Sequence, residues 1–339
     1  MRQPFVWLAR SALRSPIVAA PALAAARWFG QRTATVLMLH RFRDAHLGNE
    51  GEDPDDLRRV LARLRSQRVQ LMSLRELVRH VTERIPLRGP AVVLTVDDGY
   101  LDFGTVAQPI LSEFDAPATV FVTTEVVHGR LWFWWDRIEK ACMESPRREA
   151  TLDIGGTAVQ VRLGNPDERR AQADQLCELV KWIDLAERTR FVAEIGDALE
   201  VALPAQAPED RRAMGWDDIL ALEARGVEFG PHSRHHCILS RVDEATARDE
   251  IFGSWETMRS KCARAVPIFC YPNGTPESYT MRDERLVREA GLVGAVAYHR
   301  ERIRPSSFPL SSRFRLPRVE WTNDPLRAAF TASGLFGLG

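Results

Sequence analysis

The chain has 339 residues, of which 45% are hydrophobic and 27% are charged. This composition is typical of a folded, water-soluble protein with one large α/β domain and an insertion, or with two modest domains. Basic and acidic residues number 46 each, so no overall positive field favours nucleic acid, and the sequence predicts no nucleic-acid partner.

The N-terminal segment, residues 1–33, is predicted to be basic and amphipathic. No acidic residue occurs from Met1 to Arg43, and no apolar run approaches the roughly 20 residues that span a bilayer. A helix lying on an anionic membrane surface explains the arginines. The alternatives are a helix packed against the rest of the protein and a cleaved secretory signal with its apolar core at residues 17–26.

The spacing of the cysteines indicates the cellular compartment in which the protein is expected. The five cysteines have no paired spacing, which indicates reduced thiols rather than disulfides or a zinc knuckle. They are Cys142, Cys177, Cys237, Cys262 and Cys270. We therefore expect a cytoplasmic protein, with a peripheral position on the inner membrane face as a variant and secretion as the less favoured alternative.

Short apolar runs predict the strands. Most show little alternation of polar and apolar residues, as expected for parallel strands that are covered on both faces. The runs lie at residues 35–39, 69–72, 91–96, 118–122, 227–229, 267–270, 294–297 and 316–320. Because helical patterns separate many of them, the sequence predicts an α/β fold, a distorted or incomplete (β/α) barrel of seven or eight parallel strands.

The pattern changes between residues 129 and 213, which we predict to be an α+β insertion. An aromatic cluster at residues 132–135 leads into a helix, residues 151–161 indicate a hairpin, and Asn165 is a predicted helix cap. The aromatic cluster is either ordinary packing or a sugar-stacking platform. The barrel then comprises residues 34–128 and 214–322, and residues 323–339 form a C-terminal tail.

Chemistry-bearing residues follow three of the predicted strands. Asp97 and Asp98 follow the third strand, His232 and His236 follow the fifth, and the turn at residues 271–274 follows the sixth. Carboxyl ends of strands in a (β/α) barrel meet at one rim, where such enzymes place their active sites. One carboxylate and two imidazoles can hold a divalent metal, with a second carboxylate beside it, which is the equipment of a metal-assisted hydrolase.

These three stretches resemble the motifs of the polysaccharide deacetylase family, which includes the chitooligosaccharide deacetylases. The resemblance extends from about Val36 to Val319, without the insertion. It implies that Asp98, His232 and His236 bind one divalent metal ion, foremost Zn²⁺ with Co²⁺, Ni²⁺ or Fe²⁺ as alternatives.

The resemblance also implies the catalytic roles. Asp97 would be the general base that takes a proton from water, and the backbone N–H of Asn273 would donate to the oxyanion.

Two features depart from the family pattern. Many members carry an arginine that holds the base aspartate, and here Cys270 occupies its position, so Arg318 on the last strand is the predicted substitute. Many members also supply a general-acid histidine near the C-terminus. No such residue follows the last strand here, and His40 or His299 is left to take that role.

The resulting functional hypothesis is a hydrolase that removes N-acetyl or N-formyl groups from amino sugars of a polysaccharide or lipid-linked glycan. Its partners would be an N-acetylated glycan and, through residues 1–33, a membrane surface. The alternatives are a non-catalytic glycan-binding barrel that retains the metal site and, from the same metal-ligand types, a non-haem iron oxygenase.

Overall fold

The computed structural model describes residues 32–129 and 131–333. The predicted membrane-surface segment, residues 1–33, therefore lies outside the described residues except for its last two positions. Across the part of the chain that is described, no helix combines the length and apolarity needed to cross a bilayer.

Ten strands are observed in the described residues, and eight of them belong to one sheet. These eight are β1 (Ala34–Leu39), β2 (Gln70–Leu71), β3 (Ala91–Val96), β4 (Ala118–Val122), β7 (Glu228–Pro231), β8 (Ile268–Cys270), β9 (Gly294–Tyr298) and β10 (Leu316–Glu320). All their pairings are parallel, in the order β7-β4-β3-β1-β10-β9-β8, and the short β2 pairs with the first two residues of β3, ahead of the residues that pair with β4. The predicted (β/α) barrel is confirmed.

The barrel is nearly closed between β7 and β8. No ladder joins these two strands, but the Val266 N–H donates to the Phe229 carbonyl at 2.7 Å. A Cβ at Gly230 would lie 2.9 Å from the Phe121 ring and 3.0 Å from the Ile268 carbonyl oxygen. Glycine therefore allows the close approach that shuts this side of the barrel.

Helices cover the barrel and end at recognisable caps. The helices outside the insertion are α1 (Pro54–Ser66), α2 (Leu74–Thr82), α3 (Gln108–Glu113), α4 (Thr124–Val127), α8 (Trp216–Ala224), α9 (Glu244–Arg248), α10 (Ser254–Lys261), α11 (Met281–Glu289) and α12 (Pro325–Ser333). Asp53 caps α1 and Ser73 caps α2. Every residue of β3 and β4 is buried, because helices pack on one face and the barrel interior on the other.

Two further strands and three helices form the region predicted as the insertion. They are α5 (Trp134–Glu144), β5 (Glu149–Ile154), β6 (Thr157–Arg162), α6 (Pro166–Lys181) and α7 (Leu185–Ala198). β5 and β6 pair antiparallel across Gly155 and Gly156, and Asn165 and Glu168 form a reciprocal capping box at the start of α6. This region has its own apolar cluster.

The predicted C-terminal tail contains a helix that the sequence prediction missed. Asp324 accepts hydrogen bonds from the backbone N–H groups of Leu326 and Arg327 at the start of α12. Ala328 and Ala332 of α12 join the apolar cluster beneath α1. Helix α12 therefore continues the helical cover of the barrel after its last strand, β10.

Candidate active site

A cavity of about 1010 Å³ opens at the carboxyl ends of the barrel strands. The parallel topology brings residues from four distant parts of the chain to this rim. The predicted residues that line it are His40, Asp97, Asp98, His232, His236 and Asn273.

The predicted metal ligands lie together. The Asp98 Oδ1 atom is 3.7 Å from His232 Nε2 and 3.6 Å from His236 Nε2. Asp98 is 6% exposed, and its Oδ1 has no hydrogen-bond partner among the described residues. A buried carboxylate oxygen without a partner is costly, so a cation between these three atoms would satisfy it.

Both imidazoles are prepared to act as ligands. His232 Nδ1 lies 2.8 Å from the Cys270 carbonyl oxygen, so Nδ1 carries the proton and Nε2 offers its lone pair. Burial lowers the pKa of His232 to about 4, and burial with the neighbouring His232 holds the pKa of His236 well below its usual range. Neutral imidazole is the form that binds metals.

A second metal-compatible set overlaps the first. It consists of Asp97, His232 and Cys270. The guanidinium of Arg318 already lies against two of these groups, 2.8 Å from Asp97 Oδ2 and 3.1 Å from Cys270 Sγ. A divalent cation there would face a fixed positive charge, so the set centred on Asp98 fits a metal better.

Asp97 is held by Arg318. The Arg318 Nη1 and Nη2 atoms donate to the two Asp97 carboxylate oxygens at 2.6 Å and 2.8 Å. Burial alone would raise the pKa of Asp97, but the Arg318 charge, assisted by His232, holds it far below its usual range. Arg318 projects from β10 and is 1% exposed. Arg318 therefore occupies the place predicted for it, as a substitute for the arginine that many family members carry at the position of Cys270.

Of the two histidines considered for the general acid, only His40 lies in the cavity. Its Nε2 is 4.0 Å from Asp97 Oδ2, and its side chain is 47% exposed. His299 instead accepts or donates a 2.8 Å hydrogen bond with the Tyr279 hydroxyl and lines a different cavity. The suggestion that His299 serves at this site is therefore not supported by its position.

Asn273 lies in the turn after β8. Its backbone has a φ of 62°, in the left-handed region, and the next residue, Gly274, has a φ of 67°. The Gly274 carbonyl accepts from the Tyr298 N–H at 2.7 Å, which ties the turn to β9. No hydrogen bond joins the Asn273 N–H to another described residue, so this donor is available at the cavity.

The insertion forms one wall of the cavity, which sequence reasoning missed. The Tyr100 hydroxyl donates to Asp136 Oδ2 at 2.7 Å and accepts from Trp135 Nε1 at 2.9 Å. Trp135 also packs edge-on against His236, with ring centroids 4.7 Å apart. Tyr100 directly follows the Asp-Asp-Gly stretch, and that adjacency is the only signal in the sequence for this contact.

The aromatic cluster divides between packing and the cavity. Trp132 and Phe133 are buried, and Phe133 stacks on Trp135 with centroids 4.4 Å apart. Trp134 and Trp135 line the cavity. Packing accounts for the buried pair, whereas the other two rings line the cavity, as the sugar-stacking alternative requires.

Comparisons with known proteins gave a matching family model and several similar solved structures. A family model described as polysaccharide deacetylase matches residues 189–294, a segment that includes both histidines and the turn at Asn273 but not Asp97 and Asp98. No curated protein sequence matches the chain.

Three of the solved structures that share its fold illustrate the similarity. IcaB from Ammonifex degensii has a TM-score of 0.56 at 16% identity, covering 89% of this chain and 97% of its own. The Streptococcus pyogenes deacetylase PplD, solved with acetate, has 0.55 at 15%, covering 87% and 94%. The BpsB deacetylase domain from Bordetella bronchiseptica has 0.50 at 16%, covering 86% and 96%.

Proposed function

We propose that this chain, part of which matches a polysaccharide deacetylase family model, is a metal-dependent hydrolase that removes N-acetyl groups, or N-formyl groups, from amino sugars of a polysaccharide or lipid-linked glycan. One observation carries the proposal. A buried carboxylate oxygen without a partner, Asp98 Oδ1, faces the Nε2 atoms of His232 and His236, and an ionised Asp97 lies beside it.

Asp98, His232 and His236 would hold the metal ion. Two imidazoles and one carboxylate suit Zn²⁺, with Co²⁺, Ni²⁺ or Fe²⁺ as alternatives. When bound, the ion lowers the pKa of water and polarises the amide carbonyl. Asp98 has a φ of 70°, and its carboxylate lies near the two imidazoles whereas that of Asp97 is bound by Arg318, so the two adjacent acids can have different roles.

Asp97 acts as the general base. Its carboxylate is fixed in orientation by the two hydrogen bonds from Arg318 and remains ionised. It accepts a proton from the attacking water, while a bond forms between the water oxygen and the amide carbon. The Asn273 N–H donates to the oxygen that becomes negative.

His40 acts as the general acid. As the carbon–nitrogen bond breaks, the imidazolium form of His40 gives its proton to the leaving amine, acetate or formate is released, and the proton that Asp97 took from water passes to His40. The position of His40 in the cavity, with its Nε2 4.0 Å from Asp97 Oδ2, supports this role. The cavity surroundings lower the pKa of His40 while the Asp97 charge partly restores it, so the two groups are electrostatically linked.

The test is the substitution Asp97→Asn. We expect acetate release from N-acetylglucosamine oligosaccharides to fall by about 10²–10⁴-fold, the usual contribution of a general base, while bound metal measured by elemental analysis is unchanged. Asp174→Asn, which alters an exposed carboxylate of the cavity wall, is the matched control and should leave activity within a few-fold. Full activity of Asp97→Asn would reject its role as the base.

The alternative of a non-catalytic glycan-binding barrel loses its main support. That hypothesis rested on the arginine missing at Cys270 and on the missing general acid. Arg318 contacts Asp97, and His40 lies in the cavity. Contact of residues 1–33 with a membrane surface remains a proposal, suited to a lipid-linked or membrane-exported glycan.

A further inference from the structure

The loop that carries both metal-binding histidines has an unfavourable backbone. Residues 232–238 lie between β7 and a 3₁₀ turn at Leu239–Arg241, without helix or strand. Ser233 has a φ of 63° and His236 a φ of 54°. Residues other than glycine keep this left-handed conformation only where surrounding contacts impose it.

One buried carboxylate supplies three of those contacts, beside the hydrogen bonds that Ser233 Oγ accepts from the His236 N–H and that the Ser233 and Arg234 carbonyls accept from α4. Glu250 Oε2 accepts from the backbone N–H groups of Arg234 and His235 at 2.8 Å and 2.9 Å, and Glu250 Oε1 lies 2.7 Å from His235 Nδ1. Glu250 is 2% exposed and projects from a π-helical turn, Asp249–Gly253, between α9 and α10. Burial would raise the pKa of Glu250, but the His235 hydrogen bonds hold it below its usual range.

The Glu250 hydrogen bonds are important because of where they lie in the loop. The two backbone N–H groups bound by Glu250 belong to residues that lie between His232 and His236 in the chain. His232 is additionally fixed by the Cys270 carbonyl, whereas His236 Nδ1 has no partner among the described residues. The distance of His236 from Asp98 therefore depends on the loop conformation, which the Glu250 hydrogen bonds help to impose.

We propose that Glu250 is a positioning residue for the metal site, acting through the backbone of the histidine loop. This inference rests on the proposed function, in which His232 and His236 bind the metal. Groups that orient metal ligands typically change metal affinity or activity by 10–100-fold when they are removed.

Two substitutions of similar size separate positioning from packing. Glu250→Met keeps the volume but removes both acceptor oxygens. Glu250→Gln keeps an amide oxygen that can accept from both backbone N–H groups, and its amide nitrogen can donate to a neutral His235 Nδ1. The full-length metal-free protein is titrated with Zn²⁺ in competition with a chelating indicator, and acetate release is measured with saturating metal.

We expect Glu250→Met to weaken Zn²⁺ binding by about 10–100-fold and Glu250→Gln to restore affinity to within a few-fold of the unsubstituted protein. Asp249→Asn is the neighbouring control, because the Asp249 carboxylate pairs with the Arg234 side chain and with no other described residue, so the substitution should leave affinity unchanged. Val60→Ala, in the buried face of α1, supplies a destabilised protein with an unaltered histidine loop. Its Zn²⁺ affinity should stay at the unsubstituted value.

The outcomes separate the two hypotheses. Equal Zn²⁺ affinity of the Met variant and the unsubstituted protein overturns the positioning role alone. Equal weakening in the Met variant and in Val60→Ala overturns it too, since general loss of stability would then explain the effect. An unsubstituted protein that binds no Zn²⁺ overturns the proposed metal site and the positioning role with it.

Discussion

The adjacent side chains of Asp97 and Asp98 differ in their hydrogen-bond partners. Asp97 is paired bidentately with a buried guanidinium, whereas Asp98 Oδ1 has no partner among the described residues. Burial and the nearby Asp97 charge raise the pKa of Asp98 well above its usual range. Since a cation would reverse that effect, these surroundings support the proposed roles, Asp98 as a metal ligand and Asp97 as the ionised base.

Arg318 is predicted to control the ionisation of Asp97. In Arg318→Met, burial is no longer opposed by the guanidinium, so the pKa of Asp97 rises. The acid limb of the pH dependence of kcat/KM should therefore move to higher pH. Removing one partner of a buried ion pair also costs about 3–5 kcal/mol of stability, which thermal unfolding will show.

Arg318→Lys is the companion variant for this test. It retains the positive charge but not the bidentate geometry, so we expect a smaller shift of the acid limb than in Arg318→Met, together with a lower kcat. An acid limb that is identical in the unsubstituted protein and both variants would show that Asp97 ionisation does not limit the reaction.

At the scale of elements, helix α5 connects the insertion to Tyr100, in the loop that follows β3. Asp136 on α5 accepts from the Tyr100 hydroxyl and from Arg211 Nη1 at 3.2 Å. Burial raises the pKa of Asp136 to about 6, although Tyr100 and Arg211 both oppose the rise. The contact that holds the insertion against the barrel therefore includes a carboxyl group that titrates in a mildly acidic range.

This titration predicts a pH dependence of stability. Between the ordinary pKa of 3.8 and the folded value of about 6, the folded chain binds this proton more tightly than the unfolded chain. The contribution of Asp136 therefore stabilises the fold at low pH and is lost as the pH rises through about 6. A shift of about two pKa units corresponds to about 3 kcal/mol.

Asp136→Asn should remove that dependence. Urea unfolding of the metal-free protein between pH 4 and pH 7 will measure it, and the free energy of unfolding of the variant should vary less with pH across this window than that of the unsubstituted protein. Glu139→Gln, one turn further along α5, is the control for altered charge beside Arg211. An unchanged pH profile in Asp136→Asn would contradict the raised pKa.

Elements set by local chemistry could be predicted from the sequence. β3 and β4 were predicted with their observed bounds, because a parallel strand covered on both faces is a continuous apolar run. The start of α6 followed from the cap at Asn165, where side chain and backbone satisfy each other. The π-helical turn at Asp249–Gly253 gives no such pattern, and so the contact of Glu250 with the histidine loop could not be predicted.

At the scale of the whole molecule, the cavity depends on contacts between distant parts of the chain. The rim of a parallel barrel explains in advance why strand-end residues of β1, β3, β7 and β8 meet. Arg318 could be named from its position on the last strand, but its contact with Asp97 could not be predicted, because the sequence does not show that β10 lies between β1 and β9. The wall supplied by Trp135 and Asp136 was not predicted, since nothing in the sequence indicates which face of an insertion packs on the barrel.

Metal binding should therefore stabilise the whole fold, independently of any substrate. A ligand that binds only the folded state adds about 2.7 kcal/mol at a concentration of one hundred times its Kd, and here it would also relieve the repulsion between Asp97 and Asp98. We expect Zn²⁺ to raise the thermal unfolding midpoint of the chelator-treated protein.

In Asp98→Asn, which keeps the shape of the side chain and removes its charge, the midpoint should be higher without metal but should respond far less to Zn²⁺. Because Asp174→Asn leaves the proposed ligands intact, its midpoint should rise as that of the unsubstituted protein does. An equal response of Asp98→Asn would show that the stabilising ion binds elsewhere.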